Sequence, residues 1–80
     1  MPVNDRFTTQ TSIQGSTVTV SSTLISSPGT YLRTVRVRLT NGNQESKSDT
    51  QTWALNQTIT TDFVFSSTVL SVVVVDYDPV

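Results

Sequence analysis

Residues 30–43 read TYLRTVRVRLTNGN and carry the clearest pattern in the chain. From residue 34 onward, apolar and polar side chains alternate strictly, which is typical of a β-strand with one face buried and the other in solvent. The apolar face carries Tyr31, Val35, Val37 and Leu39, and the polar face carries Thr34, Arg36, Arg38 and Thr40. Arg33 interrupts the apolar row near its start.

The end of this stretch predicts a hairpin. Asn41-Gly42 follows an alternating run, and both residues tolerate the positive φ that tight hairpin turns need. A return strand is therefore expected to begin near Gln44 or Glu45. It is polar until residues 52–55, so we expect an exposed edge strand, or a partly irregular segment, whose apolar end docks on the core.

Two further segments alternate in the same way, and a third alternates loosely. Thr17–Leu24 has an apolar row broken by Ser22, and Thr58–Phe65 places Ile59, Phe63 and Phe65 in phase. Residues 3–13 alternate loosely, so positions 1–13 are interpreted as an N-terminal arm or an edge strand. A turn is expected at residues 26–29, Ser-Ser-Pro-Gly.

The last segment, Thr68–Tyr77, differs because Val72, Val73, Val74 and Val75 are apolar toward both sides. Such a strand is either fully buried or covered by a neighbouring subunit. Six to seven strands without a helical period predict one all-β domain over residues 1–80. The preferred fold is a small immunoglobulin-like β-sandwich, and a small Greek-key barrel is the alternative.

Composition limits the classes of function. The 80 residues contain no Cys or His, 26 are Thr or Ser, and the formal net charge is −1. Without disulfides or soft metal ligands, a domain this small is expected to gain stability by association with other chains. The weak charge disfavours nucleic acid and membrane surfaces as partners. The N-terminal residues do not resemble a signal peptide, and no apolar run is long enough to span a bilayer.

No catalytic or cofactor site is predicted. Without His or Cys, only a carboxylate pair could do acid–base work, drawn from Asp5, Glu45, Asp49, Asp62, Asp76 and Asp78. Asp76-Tyr77-Asp78 could offer oxygens to Ca²⁺, but a charged strand end is the preferred interpretation. Asn56-Gln57-Thr58 fits the N-glycosylation pattern and is interpreted as coincidental.

Two sets of residues are candidate binding sites. Arg36 and Arg38 project together from one face and could meet an acidic partner, or could pair with Glu45 or Asp49 across the hairpin. Trp53, with Tyr31 and Tyr77, could stack on a sugar, although a lone Trp in so small a domain more often fills the core.

Two resemblances bear on the fold and the function. The succession of strands and turns resembles that of immunoglobulin-like adhesion modules of bacteria. The resemblance covers residues 35–43, 55–58, 63–65 and 73–76, and Asn56-Gln57 stands where those modules usually have Gly. In overall character, compact and rich in Thr, Ser and Val without Cys or His, the chain is similar to the small decoration or cement proteins of tailed-phage capsids.

The resulting expectation is a non-enzymatic structural protein without cofactors, made in the host cytoplasm and located in the virion. Its partner would be protein, through self-association as a homo-oligomer or docking on a capsid-like lattice. The candidate interface is Arg36, Arg38 and Val72–Val75. The alternative is a ligand-binding or adhesion module, with carbohydrate as the candidate ligand, that uses Trp53, Tyr31 and Tyr77.

Overall fold

The computed structural model describes residues 2–80, which form six β-strands in two antiparallel sheets. The strands are β1 (Phe7–Gln14), β2 (Thr17–Leu24), β3 (Gly29–Leu39), β4 (Gln44–Trp53), β5 (Thr58–Val64) and β6 (Val69–Pro79). The only helical element in this part of the chain is a 3₁₀ turn, Asn4–Arg6. None of its helices is long and apolar enough to cross a membrane. The all-β expectation is confirmed.

The sheets have the strand orders β1-β2-β5 and β4-β3-β6, and each keeps two edges, so the fold is a sandwich and not the alternative barrel. In an immunoglobulin sandwich, the first, second and fifth strands form one sheet, while the third and sixth pair in the other. The present order keeps these pairings, but β4 joins β3 in the second sheet, whereas the fourth strand of the constant-type fold belongs to the first sheet. None of the six described strands occupies the position of the seventh strand, which in that fold lies on the outer side of the strand corresponding to β6.

The predicted segments fall close to the observed strands. The hairpin joining β3 and β4 has a four-residue loop, in which Gly42 has a φ of +92° and the return strand begins at Gln44. Asn41 keeps a negative φ, and its side-chain Oδ1 accepts a hydrogen bond from the Asn43 amide at 3.0 Å. β4 is an edge strand with one buried residue, Trp53. Residues 7–14 form an edge strand as well, and the 3₁₀ turn Asn4–Arg6 precedes it.

The interior consists of two apolar clusters instead of one continuous core. A mainly aliphatic cluster, called the aliphatic cluster below, occupies one end and is formed by Val18, Val20, Val35, Val37, Leu39, Phe63, Phe65 and Val69. An aromatic cluster occupies the other end and is formed by Phe7, Leu24, Tyr31, Trp53 and Tyr77. Ser22 and Arg33, the two residues that interrupt the apolar rows in the sequence, lie between the clusters and are fully buried.

β6 departs from the expectation of a strand buried on both sides. It is the edge of its sheet, with Val73 47% exposed and its neighbours half-buried. Register shifts mark two bulges: Val73 has no partner between the pairs Arg36–Val74 and Val37–Val72, and Leu70 has none between Arg38–Ser71 and Leu39–Val69. A bulge inserts an unpaired residue into the strand and changes the direction of its side chain. The four successive valines of β6, Val72–Val75, are therefore not buried on both faces of the strand.

Candidate docking surfaces

The aromatic residues predicted to stack on a ligand lie in the core. Trp53, Tyr31 and Tyr77 are at most 2% exposed. The Phe7 ring stacks on Tyr77 at a centroid distance of 3.8 Å and meets Tyr31 and Trp53 edge-on at 5.0 Å each. The indole Nε1 of Trp53 donates to the Ser22 carbonyl at 3.1 Å. With their faces covered by one another, these rings form no surface platform, which corrects the stacking interpretation.

A polar layer separates the two clusters and is built around Arg33. Its guanidinium donates to the Asp49 carboxylate, to Ser22 Oγ at 3.0 Å and to Thr61 Oγ1 at 2.5 Å. The same group lies 5.5 Å from the Trp53 ring centroid and 5.4 Å from that of Phe63, within reach of cation–π attraction. No buried side-chain nitrogen or oxygen in the described residues lacks a hydrogen-bond partner. In the sequence pattern Arg33 is only an interruption of an apolar row, and its structural role was not predicted.

The two candidate arginines lie on the outer face of β3, where both are exposed. Arg36 stands opposite Ser46 on β4 and Val74 on β6, and Arg38 stands opposite Gln44 and Ser71. The predicted pairing with Glu45 or Asp49 is wrong because both carboxylates occupy register positions of the inner row. Asp49 is opposite Arg33, and Glu45 is opposite Val37.

The other acidic candidates are dispersed. Asp62 accepts a hydrogen bond from Thr19 on the outer face of the first sheet at 2.6 Å. Asp76 accepts one from Asn4 Nδ2 at 2.9 Å. Across residues 2–80, acidic side chains do not gather in groups of three or more that could hold a metal ion, and no pocket is present. Asn56 is exposed in the β4–β5 turn, with a φ of +66°.

Glu45 joins β4 to the β5–β6 loop. Its two carboxylate oxygens accept hydrogen bonds from the Ser66 amide at 2.8 Å and the Ser66 hydroxyl at 2.6 Å. These bonds, the hydroxyl first, hold the pKa of Glu45 below its ordinary value because they stabilise the charged form.

One side of the sandwich, between β1 and β6, is open and apolar. The side chains of Thr9 and Tyr77 are hydrogen-bonded at 2.7 Å, and the Val69 amide donates to the Gly15 carbonyl at 2.9 Å. Between these contacts β1 and β6 run antiparallel, and the two extra residues of β6 are taken up by its two bulges. Ile13 therefore lies across from the valines of β6. We call Ile13, Val72, Val73 and Val75 the β1–β6 seam.

Exposure along the seam shows that the sandwich is not closed there. Ile13 is on the inward face of β1, opposite the buried Val18, yet it is 42% exposed. Val72 and Val75 pack against the aliphatic cluster and are only half-buried. Val72 and Val75 thus continue the core to the surface, where Ile13 and Val73 are exposed.

The opposite side, between β4 and β5, is closed by polar groups. The inward positions of β4 there hold Glu45, Lys47, Asp49 and Gln51, and Thr61 faces them from β5. Charges pointing inward on an edge strand discourage another strand from pairing with it. Between Val69 and Val75, β6 carries no charged residue. The two sides of the sandwich therefore differ in chemistry, and only the β1–β6 side suits an apolar partner.

Comparison with known proteins finds no matching family model, no matching characterised protein and no matching solved structure.

Proposed function

We propose that this chain is a non-enzymatic structural protein that docks on a larger protein assembly, of the kind represented by the decoration proteins of tailed-phage capsids. One observation carries the proposal: along the β1–β6 seam, valines that pack against the core are half-exposed, and Ile13 and Val73 beside them are exposed. Apolar surface removed from water contributes about 25 cal/mol per Å², so covering the seam favours a bound state.

The character of the remaining surface supports the same function. The outer face of the first sheet is almost entirely hydroxyl and amide side chains, with cross-strand hydrogen bonds such as Ser21–Thr60 at 2.9 Å and Thr23–Thr58 at 2.6 Å. These mutually bonded side chains leave the face nearly uncharged, so it offers no electrostatic repulsion to a neighbouring protein surface while the seam makes the contact.

A co-sedimentation experiment with a matched pair of variants tests the proposal. The tagged chain is mixed with an extract of its source, large assemblies are pelleted, and the proteins that co-pellet are identified by mass spectrometry. We expect the wild type to pellet with a protein that forms a repeating shell. Val73→Lys should remain in the supernatant, while Val64→Lys, at a valine 57% exposed on the outer face of the first sheet, should pellet normally.

Two results would contradict the function. One is a wild-type chain that stays in the supernatant with every fraction tested. The other is equal co-sedimentation of the two lysine variants, because the contact would then not involve the seam.

A further inference from the structure

We propose that the outer edge of β6 accepts one extended strand from a partner chain, which adds to the β4-β3-β6 sheet and covers the β1–β6 seam. This inference rests on the proposed assembly function and specifies the contact. Strand addition to an exposed sheet edge is an established mode of protein recognition, with backbone hydrogen bonds giving affinity and alternate side chains giving specificity.

The backbone of β6 is the first argument. Both backbone groups of Tyr77 point away from β3: its amide donates to Asn4 Oδ1 at 2.9 Å and its carbonyl accepts from the Val3 amide at 2.7 Å. Because these directions alternate along an antiparallel strand, the amide and carbonyl of Val75 also face the open edge. The edge can therefore form backbone hydrogen bonds, and the chain's own Val3 already does so at one end.

The length of the vacant edge defines the size of the partner segment. Val3 occupies the edge at Tyr77 and Gly15 occupies it at Val69. In the described residues, β6 has no strand on that side between these points. About six residues of extended chain, or roughly 20 Å, fit between them.

The side chains beside the vacant edge determine which residues the partner segment should contain. Alternate residues of an added strand would point toward Ile13 and the partly exposed valines of β6, which are apolar. The position is that of the seventh strand of an immunoglobulin sandwich, and none of the six described strands occupies it. The bulges at Leu70 and Val73 interrupt the regular edge and disfavour indiscriminate pairing. A segment with apolar residues at every second position is therefore the expected partner.

The test supplies a strand for this edge within the same chain. A Gly-Ser linker of about eight residues, with a mean reach of roughly 15 Å, is added after Val80 and followed by about six residues that alternate Thr and Val. We expect the melting temperature to rise by about 5 °C and the amide exchange of Val73 and Val75 to slow at least about tenfold. A control extension has the same composition with its valines contiguous.

Two substitutions, each made in the extended chain, test whether the added strand binds at the seam. Val73→Lys should abolish the gain given by the alternating extension, whereas Val64→Lys should leave it unchanged. An extension that gives no rise and no protection, or a rise equal to that of the control, overturns the proposal. If the unextended chain sediments as a dimer whose Val73 and Val75 amides are already protected, a second copy fills the edge, and the partner-strand proposal is also overturned.

The extended chain separates this proposal from the assembly function. If the added strand fills the edge, the extended protein should no longer co-sediment with the assembly that captures the wild type. Continued co-sedimentation of an extended protein with protected β6 amides would refute strand addition as the lattice contact and leave the assembly function standing.

Discussion

The fully buried guanidinium of Arg33 on β3 is paired with the carboxylate of Asp49 on the neighbouring edge strand β4, with Nε–Oδ1 and Nη2–Oδ2 distances of 2.9 and 2.8 Å. Two parallel N–H···O bonds of this kind are the strongest form of Arg–carboxylate contact. Asp49 is 18% exposed at its side chain, so the pair connects the interior of the sandwich to its surface.

Replacing Asp49 should therefore destabilise the domain severely. Asp49→Asn leaves the Arg33 charge buried without its counter-ion, and breaking a buried pair in this way costs about 3–5 kcal/mol. Urea unfolding monitored by circular dichroism measures the change. Asp62→Asn, at an exposed carboxylate of the outer face, is the control and should lose less than about 1 kcal/mol. Equal losses in the two variants would show that the buried pair is not a special determinant of stability.

The exposed β3–β4 loop should depend on Gly42. Its φ of +92° is a conformation that L-residues rarely adopt, so Gly42→Val should destabilise by roughly 1–2 kcal/mol even though no atom stands near an added Cβ. Gly29→Ala is the matched control, because that position is also uncrowded and has no positive φ. A thermal melt in which Gly42→Val equals the wild type would contradict the observed loop conformation.

The Glu45–Ser66 contact predicts part of the acid sensitivity. Because the folded-state pKa of Glu45 is lowered from 4.5, the contact contributes stability that is fully present above that value and is lost as pH falls through the folded-state pKa. Glu45→Gln should therefore make stability fall less steeply below pH 4.5. Urea midpoints measured across this acid range give the slopes, and parallel slopes for wild type and variant would count against the prediction.

The edge position of β6 gives a sharp contrast between two valines. Val75 packs against both interior clusters, so Val75→Lys should unfold the domain or cost several kcal/mol. Val73 occupies a bulge at the surface, and Val73→Lys should change stability by less than about 1 kcal/mol. A folded Val75→Lys together with an unfolded Val73→Lys would show that the bulge is placed at the wrong residue.

Trp53 serves as a reporter of the core. Because its ring is enclosed by Phe7, Tyr31, Tyr77 and the Arg33 side chain, its fluorescence emission should be blue-shifted in the folded protein and should not change when simple sugars are added. Sugar-dependent quenching with unchanged stability would restore the carbohydrate-binding alternative.

Much of the fold follows from local sequence. The alternation along residues 34–40 fixes which side chains of β3 face inward, because the period of a strand is two. Asn41-Gly42 fixes where the chain turns, because Gly42 accepts positive φ. These properties require no knowledge of distant residues, and the structure places β3 and β4 close to the predicted bounds.

Only the tertiary structure explains the polar residues that interrupt the apolar rows and the burial of the final strand. Arg33 and Ser22 break their apolar rows in the sequence. The β3–β4 register places Asp49 beside the Arg33 guanidinium, but only the facing of the two sheets brings Ser22 and Thr61 to it. The pattern of Val72–Val75 predicts burial on both sides, yet strand order places β6 at an edge, and Leu70 and Val73 at its two bulges are exposed. The burial of a side chain and its contacts depend on which strands become neighbours in the folded domain. The hydrophobic period of one strand carries no information about strands that are distant in the chain.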